Sequence, residues 1–319
     1  MIGKVVVFGG SGFIGTHLIR RLHAEGLEIV SVDRRTPGEV LTGVDYHIGD
    51  VRNLKALTLN GPIARIYNFA AVHTTPGHPE HEYYETNVLG ALEVTRFAVE
   101  NDVDEIVFTS SISVYGPSEE MKTEETPPAP ESAYGYSKMI AERVHKQWVD
   151  AKAGRKLTVV RPAVVFGSRE GGNFTRLASL LKKGIFIYPG RKDTIKACIY
   201  ISDLLDALEF ARGQDAPYVL FNGAYPQRYT LEQIVDALIK DHFPRARTLM
   251  VPRWIVMVAA MILGFLDTFH LGIHPDRVTK LVRSTDIYPA WLVKKGYEYP
   301  QAIEVALRRW ADESNHTFS

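Results

Sequence analysis

The chain is 319 residues long, 45% apolar and 23% charged, the balance of a globular protein, and at roughly 150 residues per domain it has room for about two domains. Lys plus Arg and Asp plus Glu number 37 each, which argues against a nucleic-acid-coating protein and excludes a strongly acidic disordered chain. The single cysteine, Cys198, rules out disulfides within the chain and points to a reducing compartment; with no signal-peptide pattern from Met1 to Phe8, a cytoplasmic location is expected.

Val5 to Phe8 is wholly apolar, as a strand covered on both faces requires. Phe13 to Ala24 has helical spacing, and Glu28 to Val32, Tyr46 to Ile48 and Ile63 to Ala71 follow as strands. A helical stretch then covers about Tyr83 to Glu100. Glu105 to Thr109 is a fifth strand, Tyr134 to Asp150 a long helix and Leu157 to Val160 a sixth strand. This alternation implies right-handed crossovers and an α/β fold with a parallel sheet covered on both faces. Pro117 to Glu131, with four prolines and five glutamates, is expected to be a surface loop.

Gly167 to Gly172 marks a change of character, after which Asp203 to Ala211 and Leu231 to Lys240 look helical and Tyr218 to Asn222 looks like a strand. The sheet domain is expected over residues 1–166. A smaller, mainly substrate-binding domain is expected over 167–319, with a return to the sheet at roughly 196–225. The longest apolar run, Trp254 to Leu266, has 13 residues, short of the roughly 20 that cross a bilayer. It reads as a buried helix, with a dimer surface or a membrane-surface contact as its other uses; no stable membrane insertion is expected.

Gly9-Gly10-Ser11-Gly12-Phe13-Ile14-Gly15 follows the first strand directly and opens a helix. Glycines suit a sharp turn that lets a pyrophosphate approach the backbone, and the helix N-terminus supplies unpaired N–H donors, here from Phe13, Ile14 and Gly15. Asp33 ends the second strand, 18 residues after Gly15, where a carboxylate accepts hydrogen bonds from an adenosine ribose. Its charge favours NAD, since a 2′-phosphate would meet it; Arg34 and Arg35 keep NADP as the alternative. Asp50 and Val51, after the third strand, would flank the adenine, unless Asp50 is a helix N-cap.

Tyr134 and Lys138 form a Y-x-x-x-K pair at the start of a predicted helix, a spacing that puts phenol and ammonium on one face. A nearby lysine charge and the positive nicotinamide of an oxidised cofactor are expected to bring the phenol down from its usual pKa of about 10 toward its working pH. Alone, such a pair occurs by chance. Ser111 and Ser113, however, follow the fifth strand, and ligands of open parallel sheets bind outside the carboxyl ends of strands.

With these motifs the chain resembles the extended short-chain dehydrogenase/reductase superfamily, especially its NAD-dependent nucleotide-sugar epimerase/dehydratase group. The resemblance covers nearly the whole length and is weakest between about 240 and 275. It implies a Rossmann-type doubly wound parallel sheet with a smaller C-terminal substrate-binding domain. Gly9, Gly12 and Gly15 match the dinucleotide loop, Asp33 the ribose-binding acid, and Phe69, Ala70 and Ala71 the cofactor-lining segment after strand four, where Asn68 replaces the usual His. Asn87 matches a conserved-type helix Asn, Ser111 the catalytic Ser, Tyr134 the acid/base and Lys138 the ribose-holding Lys. Arg161-Pro162-Ala163-Val164-Val165-Phe166-Gly167 looks like the segment touching the nicotinamide, and Asn173 is similar to the Asn beside the substrate phosphates.

Departures narrow the chemistry. Dehydratases of this group carry Thr-Asp-Glu where this chain has Ser111-Ile112-Ser113, so water elimination, which needs a titrating acid and base there, is disfavoured. Lys196 stands where an Arg often meets the diphosphate and lacks its bidentate fork; Arg191 and Arg277 are other candidates. His73 and Thr74, after strand four, would face the substrate. No zinc signature exists, so no metal is expected. The expected function is an NAD-dependent 4-epimerase acting on a nucleotide sugar of the UDP type through a keto-sugar intermediate. The alternatives are an NAD(P)H-dependent 4-keto-sugar reductase and a hydroxysteroid or lipid-linked alcohol dehydrogenase. A homodimer is common in the family.

Overall fold

The computed structural model of the chain describes residues 3–74, 77–252, 254–255, 283–299 and 302–319. The described strands are β1 (Lys4–Phe8), β2 (Ile29–Asp33), β3 (Val44–Ile48), β4 (Ile63–Asn68), β5 (Glu105–Thr109), β6 (Ser118–Lys122), β7 (Lys156–Pro162), β8 (Val164–Phe166), β9 (Ile185–Pro189), β10 (Cys198–Tyr200), β11 (Tyr218–Gly223), β12 (Arg247–Val251) and β13 (Thr285–Ile287). The described helices are α1 (Phe13–Ala24), α2 (Glu80–Tyr84), α3 (Gly90–Glu100), α4 (Ala133–Asp150), α5 (Asn173–Lys182), α6 (Ile201–Arg212), α7 (Leu231–Asp241), α8 (Ala290–Lys294) and α9 (Ile303–Glu313).

Seven strands form one parallel sheet in the order β11-β7-β5-β4-β1-β2-β3. β1 shows why this sequence chooses that architecture. Val5, Val6, Val7 and Phe8 are all at most 1% exposed. Alternate residues of a strand point to opposite faces. Val5 and Val7 pack with Leu18 and Leu22 of α1 and Leu204 of α6, while Val6 and Phe8 pack with Val94 and Phe97 of α3 and Ala141 of α4. A continuous apolar run is therefore the local signature of helices on both sides. The order of connection reverses between β1 and its neighbours β2 and β4, and the crevice at such a switch point is where ligands of doubly wound sheets bind.

Most predicted elements recur with ends shifted by a residue or two. The stretch expected to be one helix from Tyr83 begins at Glu80 and is interrupted by a wide turn at Glu85–Leu89. The expected surface loop at 117–131 is corrected: its start is β6, paired in parallel with β13. Glu124 of the same loop is half-buried, its carboxylate accepting the N–H of Asn222 at 2.8 Å and of Trp291 at 3.2 Å. Partners more than 90 residues away are invisible to a local pattern. β11 re-enters the main sheet beside β7. Of the Trp254 to Leu266 run only Trp254 and Ile255 fall among the described residues; both are exposed, at 68% and 39%, where burial was expected. Among the described residues no helix is long and apolar enough to cross a membrane.

Candidate active site

The turn between β1 and α1 presses against the end of β4. Gly9 has φ +83°, and a Cβ there would lie 2.5 Å from the Ala70 nitrogen, so only glycine permits both the turn and the approach. α1 starts at Gly12 with no side-chain cap and no acid in its first turn. The first-turn N–H groups of Phe13, Ile14 and Gly15 thus keep the donor capacity and partial positive charge that a diphosphate needs. Asp33, at the end of β2, accepts the N–H of Ser11 at 3.1 Å and of Arg35 at 2.9 Å, and keeps lone pairs for two ribose hydroxyls.

Arg34 and Arg35 are both exposed and turn to carboxylates, Arg34 toward Asp50 at 3.6 Å and Arg35 toward Asp33 at 3.8 Å. Asp50 is gripped by Arg52, whose hydrogen bonds hold it below the usual carboxylate range. Val51 is buried, and a Cβ on Gly90 would come within 2.9 Å of it, so it packs against the start of α3. Phe69, Ala70 and Ala71 are half-buried beyond β4, and Pro162 is buried at the end of β7, in register with Gly223. These residues fit a dinucleotide: a glycine cradle that any Cβ would obstruct, an uncapped helix end and a ribose acid. Among the described residues no cluster of His, Cys, Asp and Glu could hold a metal ion.

At the carboxyl end of β5, Ser111 is extended and caps a short turn over Ile112–Tyr115, its Oγ accepting the Ser113 N–H at 3.1 Å and donating to the Ser113 Oγ at 3.2 Å. α4 is brought against this turn by Gly135, where a Cβ would sit 2.4 Å from the Ser113 carbonyl oxygen. Ser132 caps the helix by accepting the Gly135 N–H at 3.1 Å. This approach brings the Tyr134 hydroxyl beside Ser111, which favours the phenolate. One turn on, the Lys138 Nζ donates to the Thr109 carbonyl at 2.8 Å and lies 4.9 Å over the Phe108 ring.

The wide turn at 85–89 carries Asn87, which bonds both backbone groups of Val72, at 3.0 and 3.1 Å, and the Ser137 Oγ at 2.8 Å. It pins the His73–Thr74 segment beside α4. Tyr83 donates to the Thr74 carbonyl at 2.5 Å, and its ring centroid is 6.1 Å from that of Tyr134. Burial, then the Lys138 charge, holds the His73 imidazole below its ordinary range. Asn68, by contrast, is buried and directed away from the turn, its Nδ2 3.3 Å from the His145 Nε2.

Within the protein, burial dominates the electrostatics of the pair. It pushes Tyr134 up to about 12, with neighbouring Ser111 opposing. Burial pushes Lys138 down to about 7, with the Glu142 charge opposing. For Tyr134 the loss of water outweighs what a neighbouring amine supplies.

Sequence reading missed what stands behind the pair. Glu142, one turn beyond Lys138, is paired with Arg161 at 2.9 and 2.7 Å and accepts the Ser110 hydroxyl. Arg161 also donates to the Tyr115 hydroxyl at 2.8 Å, which donates to Asn222 at 2.8 Å. The i+4 spacing of Lys138 and Glu142 was the available signal for half of this network. Arg161, expected to belong to a nicotinamide-touching segment, instead lies with its side chain 4% exposed against Glu142.

Other candidates sit elsewhere. Asn173 is exposed at the start of α5. Arg191 is held by Asp193 at 2.7 Å and Glu119 at 3.0 Å. Lys196 donates to the Arg283 carbonyl at 2.6 Å and is pushed down to about 8 by burial. Arg277 lies outside the described residues. Asp203 is buried between Tyr225 and Arg309.

Fold, glycine turn and ribose acid together define a dinucleotide-dependent enzyme of the Rossmann class. The chain belongs to the NAD dependent epimerase/dehydratase family, whose model matches residues 5–220. It is 27% identical, over 97% of its length and 94% of the other, to N-acetyl-alpha-D-glucosaminyl-diphospho-ditrans,octacis-undecaprenol 4-epimerase of Escherichia coli O157:H7. It is 31% identical to UDP-glucose 4-epimerase of Lactobacillus helveticus over 53% of this chain and 54% of that protein. Among solved structures, UDP-glucose 4-epimerase of Thermotoga maritima with UDP-glucose superposes with a TM-score of 0.77 at 18% identity, covering 99% of this chain and 100% of that one.

Proposed function

We propose that this chain is an NAD-dependent 4-epimerase of a diphosphate-linked sugar, with a UDP-sugar as the first substrate to test. The observation that carries the reading is the placing of the Tyr134 hydroxyl beside Ser111 at the carboxyl end of β5, one helical turn from Lys138. When bound, NAD supplies the acceptor for the C4 hydrogen and a positive charge that favours the phenolate. Ser111 holds the C4 hydroxyl oxygen in line. Tyr134 takes the hydroxyl proton as the C4 hydrogen leaves, and returns it after the keto sugar has turned over and been reduced on its other face. Lys138 and Asp33 bind the two ribose units, and Phe13, Ile14 and Gly15 present their N–H groups to the diphosphate.

His73, Thr74 and Ser113 line the sugar's side of this site, and Asn173, Arg191, Lys196 and Arg277 serve its diphosphate. Ser111-Ile112-Ser113 contains no carboxylate, which supports epimerisation over dehydration. A polyprenyl-diphosphate sugar is the second reading of the substrate, favoured by the name of the relative that aligns over 97% of the chain. Cys198, buried and unpaired, supports a cytoplasmic enzyme.

The test is to incubate purified protein with UDP-sugars without added cofactor and to analyse the sugars by NMR. Conversion between C4 epimers with no net NADH is expected. Turnover only with a keto sugar and stoichiometric loss of NADH would replace the epimerase by a reductase.

A further inference from the structure

We propose that the face formed by β9 and β12 docks on an anionic membrane surface, an inference that goes beyond the epimerase reading and does not depend on it. The two strands pair in parallel with each other and stand apart from the main sheet. β9 alternates: Phe186 and Tyr188 are 4% and 0% exposed in the core, while Ile185 and Ile187 are 56% and 46% exposed on the opposite face. Leu249, in register with Ile187, is 56% exposed on that same face. Trp254, just beyond β12, is 68% exposed, and the chain enters its 13-residue apolar run there. A solvated ribbon face normally carries polar side chains at these positions; this one carries two isoleucines and a leucine, with Arg247 in register with Ile185.

The two segments that flank the face are basic in sequence, with Arg191 and Lys192 paired to Glu119, Asp193 and Glu232 of other segments. Residues 173–192 contain no Asp or Glu but five Lys or Arg, and residues 242–266 contain no Asp or Glu but three Arg. In a chain with 37 charges of each sign this is a local segregation. Lys182 and Lys183, immediately before β9, and Arg245 and Arg247, around the start of β12, are exposed and make no ion pair with a described residue. Exposed aliphatic and indole side chains fringed by uncompensated cations match the apolar boundary and anionic headgroups of a bilayer leaflet. The 13-residue run is too short to cross, so the contact is peripheral.

The experiment is co-sedimentation of the full chain with vesicles of phosphatidylcholine alone and with about one third phosphatidylglycerol, at low and high salt. Wild type is expected to pellet with the anionic vesicles at least about fivefold more than with neutral ones, and less at high salt. Ile187→Glu with Leu249→Glu, and separately Lys182→Glu with Lys183→Glu, are each expected to reduce that binding by about fivefold or more. Both pairs are exposed, and unchanged thermal melts and unchanged turnover of a soluble sugar nucleotide would show that folding and site are intact. Wild type remaining in the supernatant, or variants that pellet like wild type, overturns the proposal. A dimer in sedimentation equilibrium that the Ile187/Leu249 pair abolishes also overturns it, assigning the face to a second copy of the chain.

Discussion

Glu142→Leu removes one half of a buried ion pair and leaves the other half behind. Arg161 then keeps a guanidinium 4% exposed, with the Tyr115 hydroxyl as its remaining described partner, and Ser110 loses its acceptor. Uncompensated charge of this kind costs about 3–5 kcal/mol, a large fraction of the roughly 5–15 kcal/mol that holds a protein folded. An unfolding entropy of about 2.1 cal/mol/K per residue amounts to roughly 0.7 kcal/mol/K over 319 residues, so Tm is expected to fall by about 4–8 °C. The assay is a thermal melt by circular dichroism. Glu142→Leu combined with Arg161→Met removes both charges and is expected to recover at least half of the loss, because the penalty belongs to the orphan rather than to the missing bond. Glu142 is also the charge that opposes the downward shift of Lys138, so its removal is expected to lower the Lys138 pKa further. A single variant that melts within about 1 °C of wild type, or a double variant that loses the sum of both single losses, would refute the account of the network.

Tyr134→Phe deletes the proposed proton carrier and is expected to reduce turnover by at least about a hundredfold while leaving NAD bound, since general acid–base catalysis contributes on that scale; released cofactor and sugar conversion are measured side by side, and near-normal conversion excludes Tyr134. Gly9→Ala places a methyl 2.5 Å from the Ala70 nitrogen on a backbone with φ +83°, and is expected to abolish co-purification of NAD, as read by chromatography of the released nucleotide; retention of full occupancy contradicts the cradle. Lys138 sits at about 7 against an ordinary 10.5, so above pH 7 the unfolded chain binds a proton that the folded chain has lost, and stability rises with pH by up to about 1.4 kcal/mol per unit. Lys196, at about 8, adds to the same rise only from there upward, so Lys138→Met should flatten the melts chiefly between pH 7 and 8; a flat wild-type profile in that interval removes the assignment.

The sheet's first half was legible because its information is local. An all-apolar run such as Val5 to Phe8 dictates cover on both faces, and glycines between that run and an amphipathic stretch dictate a turn that leads into a helix N-terminus. Asp33, Ser111, Tyr134 and Lys138 were readable as candidates because each sits at a fixed offset from such an element. Tertiary structure alone decided how the groups act on one another. β6 exists only because β13 lies beside it, and Glu124 is half-buried because Asn222 and Trp291 need its oxygens. The upward shift of Tyr134 and the downward shift of Lys138 have the same origin. A spacing of four puts a phenol and an amine on one helix face, but their pKa values depend on how much water the fold removes from around them, and desolvation is a property of the packed whole.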